Sequence, residues 1–327
     1  MISPQTNIDL KGMAALFRGL DDFVICGHVN PDGDCLGSQL ALGHALRAIG
    51  KRAVCLLPSD APVDPSLSYL PGLKDAVCAP GFSGTVQAFV VCDVSGPARI
   101  GEAAARIQAA AEATFTIDHH RTEEMGSQYI YVDPDVASNS MIIWELIKAL
   151  GVKPSYDMAL CTYTGLVTDT GNFKYSNTDV AAFQAAAEMT AAGIDPSEVS
   201  GLIYQNRPLA SLRLESILLS RMMVDEAQRY VMGYLSQSDF QSVGAEKSDA
   251  DFMIDALRSL GGVRVACFLR EAEGGVRANL RAKDATDVSL IAKRFGGGGH
   301  KAAAGCTIPL PLDEAVAQMH DALEAMV

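Results

Sequence analysis

Five short apolar runs constrain this chain more than any other feature. They lie at 23–26, 53–57, 89–93, 115–117 and 129–132, and helical patterns occupy 36–49, 98–113, 140–150, 158–167 and 180–192. Short continuous apolar strands alternating with helices specify a parallel, doubly wound α/β sheet with both faces covered. Ligands bind such sheets beyond the carboxyl ends of the strands. Several of these runs end directly in Asp or His.

The first run leads into His28-Val29-Asn30-Pro31-Asp32-Gly33-Asp34. Pro31 and Gly33 favour a tight turn, so His28, Asp32 and Asp34 converge instead of dispersing into solvent. The third run ends in Asp93, the fourth in Asp118-His119-His120, and the helix at 158–167 leads into Asp169. Any one Asp here has an ordinary explanation as a helix cap or turn former. In a doubly wound sheet, however, all of these ends meet at one edge. Carboxylates and imidazoles without a required thiolate favour Mn²⁺ or Mg²⁺ and leave Zn²⁺, Co²⁺ or Fe²⁺ open. Two such cations can lower the pKa of a shared water and clamp the oxygens of a phosphoryl displacement.

Beyond a helical stretch at 193–225 the pattern restarts. Strands are expected at 230–234, 263–270, 275–280 and 305–308, and helices at 251–260, 288–295 and 312–327. Adjacent strands without an intervening helix imply a mixed sheet. The expected organisation is therefore a metal-binding domain at 1–192, a helical linker at 193–225 and a smaller mixed-sheet α/β domain at 226–327. Near the start of the second domain's last strand stands Gly296-Gly297-Gly298-Gly299-His300. Consecutive glycines let a backbone approach phosphate closely and present N–H groups as an anion cradle.

Composition narrows the partners. The net charge is −13 over 327 residues, whereas proteins that grip long nucleic acid present basic surfaces. Small anionic substrates are expected, with no long duplex and no membrane partner. No apolar run approaches the ~20 residues that span a bilayer, and no export signal is evident at the start of the sequence. The eight cysteines form no Cys-x-x-Cys pair. They are expected as free thiols in a reducing cytoplasm.

Together, His28-x-x-x-Asp32-x-Asp34, Asp93, Asp118-His119-His120 and Asp169 resemble the motifs of the DHH phosphoesterase superfamily. The Gly296–Gly299 run, with His300 and Ala303-Ala304-Gly305, resembles the signature of the associated DHHA1 domain. By size and layout the chain is most similar to stand-alone oligoribonucleases (nanoRNases) and 3'-phosphoadenosine-5'-phosphate (pAp) phosphatases.

The resemblance implies a DHH domain and a DHHA1 domain with the active-site cleft between them. It implies two divalent cations, Mn²⁺ first, with Mg²⁺ or Co²⁺ as alternatives. His28 and Asp32 would hold one; Asp34, His119 and Asp169 the other; Asp93 would bridge. Asp118 would orient an adjacent histidine, and His120 would face the substrate phosphate. Arg281, Gly297, Gly298, Gly299 and His300 would contact substrate, and Ser138 and Ser140 at a helix start would seat a phosphate. The implied reaction is hydrolysis of very short RNA to 5'-mononucleotides, or of pAp to AMP. Cyclic or linear dinucleotides are the alternative substrates, and a non-catalytic nucleotide-binding protein is a remoter reading. A homodimer is compatible with the resemblance.

The sequence departs from the family pattern at Arg121-Thr122-Glu123-Glu124, at Asn139 and at Ala282. Those positions bear on substrate contacts, not on the metal ligands.

Overall fold

A computed structural model describes residues 3–120, 126–225, 227, 229–299 and 301–326. Two compact units divide the chain, 1–206 and 207–327.

The first unit runs α1 (Leu10–Gly19), β1 (Phe23–Cys26), α2 (Gly33–Ala48), β2 (Ala53–Leu57), β3 (Val77–Cys78), β4 (Ala88–Cys92), α3 (Gly101–Ala109), β5 (Ala113–Asp118), β6 (Tyr129–Val132), α4 (Asn139–Ala149), α5 (Tyr156–Asp169), α6 (Val180–Ala191) and α7 (Pro196–Tyr204). Its strands form one sheet in the order β3-β2-β1-β4-β5-β6, with every pairing parallel. The chain builds outward from β1 to one side, then returns to β4 and builds to the other. The topological switch point therefore lies between β1 and β4, where the loops after the two strands diverge and open a crevice.

The central strands β1 and β4 are buried at every position, and burial lessens toward the β3 edge. One face packs on α1, α2 and α4 through residues such as Phe17, Phe23, Leu36 and Ile143; the other packs on α3 through Phe89, Val91 and Ala104. Two elements differ from the sequence expectation. The helix expected at 98–113 is a 3₁₀ turn (Pro97–Ile100) followed by α3, because Gly101 adopts a left-handed φ of 74° that breaks continuity. Helix α1 was not anticipated; Asp9 caps it by accepting the Gly12 N–H at 2.7 Å, and Met13, Ala14 and Phe17 bury its inner face.

The second unit runs α8 (Leu209–Ser220), β7 (Met223–Asp225), β8 (Tyr230–Leu235), α9 (Gln237–Val243), α10 (Met253–Arg258), β9 (Val265–Ala272), β10 (Gly275–Ala282), α11 (Ser289–Arg294), β11 (Gly298–Gly299), β12 (Ala303–Ile308) and α12 (Leu312–Glu324). Its sheet has the order β11-β12-β10-β9-β8-β7 and is mixed: β8 and β9 are parallel, the other pairs antiparallel. The stretch 193–225 is largely helical and is shared between the units. Val199 and Ile203 of α7 bury against α5 and α6, whereas Leu214 and Leu218 of α8 pack under β8 and β9. Among the described residues, no helix is long and apolar enough to cross a membrane.

Candidate metal centre

Three strand ends and one helix end carry the site. Asp32 caps α2, its Oδ1 accepting the N–H groups of Asp34 (3.1 Å) and Cys35 (3.0 Å). Its Oδ2 is left facing His28 Nε2 at 3.7 Å. His28 Nδ1 lies 2.9 Å from the Val29 carbonyl oxygen and 3.3 Å from Arg99 Nη2, which fixes the ring with Nε2 turned toward the carboxylates. Asp93 follows β4 with a left-handed φ of 57°, an uncommon state for a non-glycine residue. That turn aims its carboxylate at three imidazoles: Oδ2 is 3.7 Å from His28 Nε2, and Oδ1 is 3.3 Å from His119 Nε2 and 3.5 Å from His120 Nδ1. His119 Nε2 also lies 3.4 Å from Asp169 Oδ2 and 3.7 Å from Asp34 Oδ2. The structure thus brings His28, Asp32, Asp34, Asp93, His119 and Asp169 together at the switch point.

Glycines set this convergence in a way that the turn assigned to Gly33 does not foresee. Helices α2 and α5 run in opposite directions and touch through Gly33, Gly37 and Gly165. A Cβ on Gly37 would strike the Cys161 carbonyl, and one on Gly165 would strike the Ser140 hydroxyl and come within 2.6 Å of Asp34 Oδ1. Close contact puts Asp34, at the start of α2, beside Asp169, the last residue of α5. The detectable signal was the Gly33-x-x-x-Gly37 spacing facing a glycine inside a second helix. Cys35 was also missed as a site neighbour. Its sulfur accepts the His28 N–H at 3.2 Å, and burial pushes the thiol up to about 11, so it acts as a neutral support for the strand end.

Electrostatics favour cation binding. Asp34 is fully buried; burial, with the Asp93 charge added, pushes it up to about 7. Asp169 is raised well above the ordinary carboxylate range by burial and then by Asp34, and it stands at the negative end of a helix. Burial opposes charge on Asp93, but the surrounding histidines, His119 foremost, hold it below its usual value. Burial likewise opposes charge on His119, yet Asp93, Asp169 and Asp34 raise it well above 6.5. Asp93 Oδ1 is buried with no hydrogen bond. A buried carboxylate oxygen without a donor, among acids that resist ionising together, fits divalent cations with oxygen and imidazole ligands. Asp93, His119 and His120 offer atoms within 4.8 Å of one another, as do Asp34, His119 and Asp169.

Asp118 is buried, and its Oδ1 lies 2.8 Å from His120 Nδ1. The two histidine rings meet edge to face at 4.5 Å. Residues 121–125, including the Arg121-Thr122-Glu123-Glu124 departure, and His300 lie outside the described residues.

Two expectations about substrate contacts change. The anion at the start of α4 is internal: Asp34 Oδ2 accepts the Asn139 N–H at 2.6 Å and Oδ1 accepts the Ser140 N–H at 2.8 Å. Ser138 and Ser140 have no exposed surface, so this helix terminus holds a carboxylate of the site instead of seating substrate phosphate. In the second unit, Gly296 and Gly297 terminate α11. Gly296 is left-handed at φ 70° and donates to the Lys293 carbonyl, and Gly297 donates to that of Ala292 at 2.9 Å. The Gly297 N–H is therefore not free for a cradle. Gly298 and Gly299 are exposed and pair with β12. Arg281 is half-buried, its Nη1 donating to the Leu280 carbonyl at 3.2 Å.

Comparison with known proteins agrees with this geometry. Residues 22–166 match the family model described as DHH family, N-terminal domain, and residues 228–327 match the DHHA1 domain. The chain is 32% identical to the bifunctional oligoribonuclease and PAP phosphatase NrnA of Thermus thermophilus, over 91% of this chain and 88% of that protein. It is 28% identical to the protein of the same name from Bacillus subtilis, over 88% and 90%. Among solved structures, an exopolyphosphatase-related protein from Bacteroides fragilis superimposes with a TM-score of 0.90 at 27% identity, covering 99% of this chain and 97% of that one.

Proposed function

The chain belongs to the DHH family, its N-terminal domain followed by a DHHA1 domain, and on that premise we propose that it is a divalent-cation-dependent phosphoesterase that hydrolyses very short oligoribonucleotides to 5'-mononucleotides and pAp to AMP. The observation that carries the reading is the gathering of four carboxylates and three imidazoles at the β1–β4 switch point. The names of the relatives supply the substrate class.

His28, Asp32 and Asp93 would hold one cation and Asp34, Asp93, His119 and Asp169 the second, with Mn²⁺ as the first choice and Mg²⁺ or Co²⁺ after it. Bound there, the cations supply an acidified water and charge neutralisation at phosphorus. Asp93 serves both positions because its two oxygens face opposite histidines, His28 and His119. Asp118 holds His120 by Nδ1, which orients Nε2 to give a proton to the leaving sugar oxygen or to hydrogen-bond a phosphoryl oxygen. In the second unit, Arg281, the exposed Gly298–Gly299 strand and His300 would contact a phosphate that is not cleaved. All eight cysteines are unpaired, in keeping with action in the reducing cytoplasm.

The test is a panel of initial rates with purified protein and Mn²⁺. It compares pAp, a 5'-phosphorylated diribonucleotide, a long RNA, cyclic di-AMP and pyrophosphate. Turnover of pAp and the dinucleotide well above the other three is expected. Faster cleavage of cyclic di-AMP or of long RNA refutes the substrate assignment.

A further inference from the structure

Arg277 has no place in the site just described. In the second unit, the side chains of Val276, Ala278 and Leu280 on β10 and of Ala304, Cys306 and Ile308 on β12 point into the core formed with α11 and α12. On the opposite face, α8 and α10 cover β8 and β9 through Leu214, Leu218, Leu257 and Phe268. That same face of β10 and β12 carries Arg277, Asn279 and Arg281, opposite Thr307, Gly305 and Ala303 in register. Arg277 and Thr307 are exposed there.

Three features mark this strip as a polyanion surface. First, Arg277 pairs directly with Arg270 of β9. Like charges opposed across two strands destabilise a sheet. Arg277 Nη1 reaches Thr307 Oγ1 at 3.5 Å and Arg270 Nη1 donates to the Lys247 carbonyl at 2.7 Å, while the Asp251 carboxylate acts on Arg270. Second, the strip has small residues where bulk would interfere. A Cβ on Gly305 would come within 2.9 Å of Arg277 Nη2, so glycine there lets the guanidinium lie along the sheet. Third, none of the strand positions on this face of β10 and β12 is acidic, in a chain of net charge −13, and the Asp251 charge falls on Arg270.

We propose that Arg277, backed by Arg270, binds an internal phosphate of single-stranded oligoribonucleotides longer than a dinucleotide, extending along β10 the phosphate contact assigned to Arg281. The inference rests on the proposed function. Four residues of strand separate Arg281 from Arg277, roughly 13 Å at the strand rise. That exceeds a single internucleotide step, so contact with both arginines at once takes an oligonucleotide with more phosphates than pAp or a dinucleotide carries. Guanidinium groups suit phosphate through paired N–H donors.

The experiment measures kcat/KM for pAp and for a 5'-phosphorylated pentaribonucleotide over a salt series, with Mn²⁺, for wild type, Arg277→Ala and Arg277→Lys. The ratio of pentamer to pAp efficiency should fall about tenfold in Arg277→Ala and recover most of that loss in Arg277→Lys. The pentamer's log(1/KM) against log salt should also become shallower by about 0.7 in the alanine variant, the increment for one phosphate on a single strand. An unchanged ratio, or the same proportional loss on both substrates, overturns the inference while leaving the proposed function standing. Wild-type protein inert toward both substrates overturns the proposed function and the inference with it, and no variant is needed to see that.

Discussion

Gly165→Ala tests whether helix contact, and not merely the presence of ligands, builds the centre. An alanine Cβ would overlap the Ser140 hydroxyl and lie 2.6 Å from Asp34 Oδ1, so the carboxylate must retreat about 0.8 Å to reach the ordinary contact limit of 3.4 Å. It cannot retreat freely, because both oxygens are tied to the Asn139 and Ser140 N–H groups. Overpacking of this kind costs about 1–3 kcal/mol, which for a unit of this size is a fall in Tm of roughly 2–12 °C. A displacement near 1 Å at a catalytic ligand costs on the order of 10² in rate. Gly201→Ala in α7, where a Cβ meets nothing within 4 Å, is the control and should gain about 0.5–1 kcal/mol. The assays are thermal unfolding without metal and initial rates on pAp with saturating Mn²⁺. Wild-type kcat and Tm in Gly165→Ala would show that α2 and α5 do not set the position of Asp34.

Asp93→Asn keeps the size of the side chain and tolerates the left-handed backbone, so circular dichroism should show a native fold while hydrolysis falls at least 10³-fold; Mn²⁺-dependent turnover near wild type would remove Asp93 from its bridging role. His120→Ala should lower kcat by about 10²–10⁴ with Mn²⁺ content unchanged, and loss of metal from that variant would make His120 a ligand instead. Metal binding should release protons near pH 6.5. Asp34, at about 7 in the metal-free protein against 3.8 for an ordinary Asp, is then mostly protonated, and His119, raised well above 6.5, is charged. Each proton displaced raises apparent affinity about tenfold per pH unit in this range. Titration calorimetry in buffers of different ionisation enthalpy reads the number released, and a value of zero refutes the electrostatic account.

The sheet and the convergence of its terminal Asp and His side chains were legible in the sequence for a shared reason. Parallel strands buried on both faces leave continuous apolar runs, and the polar residues ending several of them mark the sheet edge where ligands gather. All five principal strands fall where those runs lie. What stayed hidden depends on contacts distant in sequence. Ser138 and Ser140 read as a phosphate seat because a helix start attracts anions, but nothing local reveals that Asp34, over a hundred residues earlier, occupies it. The glycine run read as a cradle because glycine permits close approach. Its first two members instead end α11, and the next two add an edge strand to β12, a pairing fixed by the fold of the unit.

Net charge and substrate charge then have to be reconciled, since a chain of −13 acts in this reading on polyanions. Acidic residues at the switch point would not repel substrate once divalent cations were bound, because the same carboxylates would hold the cations. Positive charge toward substrate would then come from the bound cations and from the arginines of β10. A long nucleic acid would need basic surface along many more phosphates to bind tightly. A short oligonucleotide needs far less. Selection for short substrates follows from the charge distribution itself, and adding lysines elsewhere on the surface of the second unit should broaden the enzyme toward longer RNA. Rates on a ladder from two to twenty nucleotides would measure this. A length profile unchanged by such substitutions would show that something other than charge sets the limit.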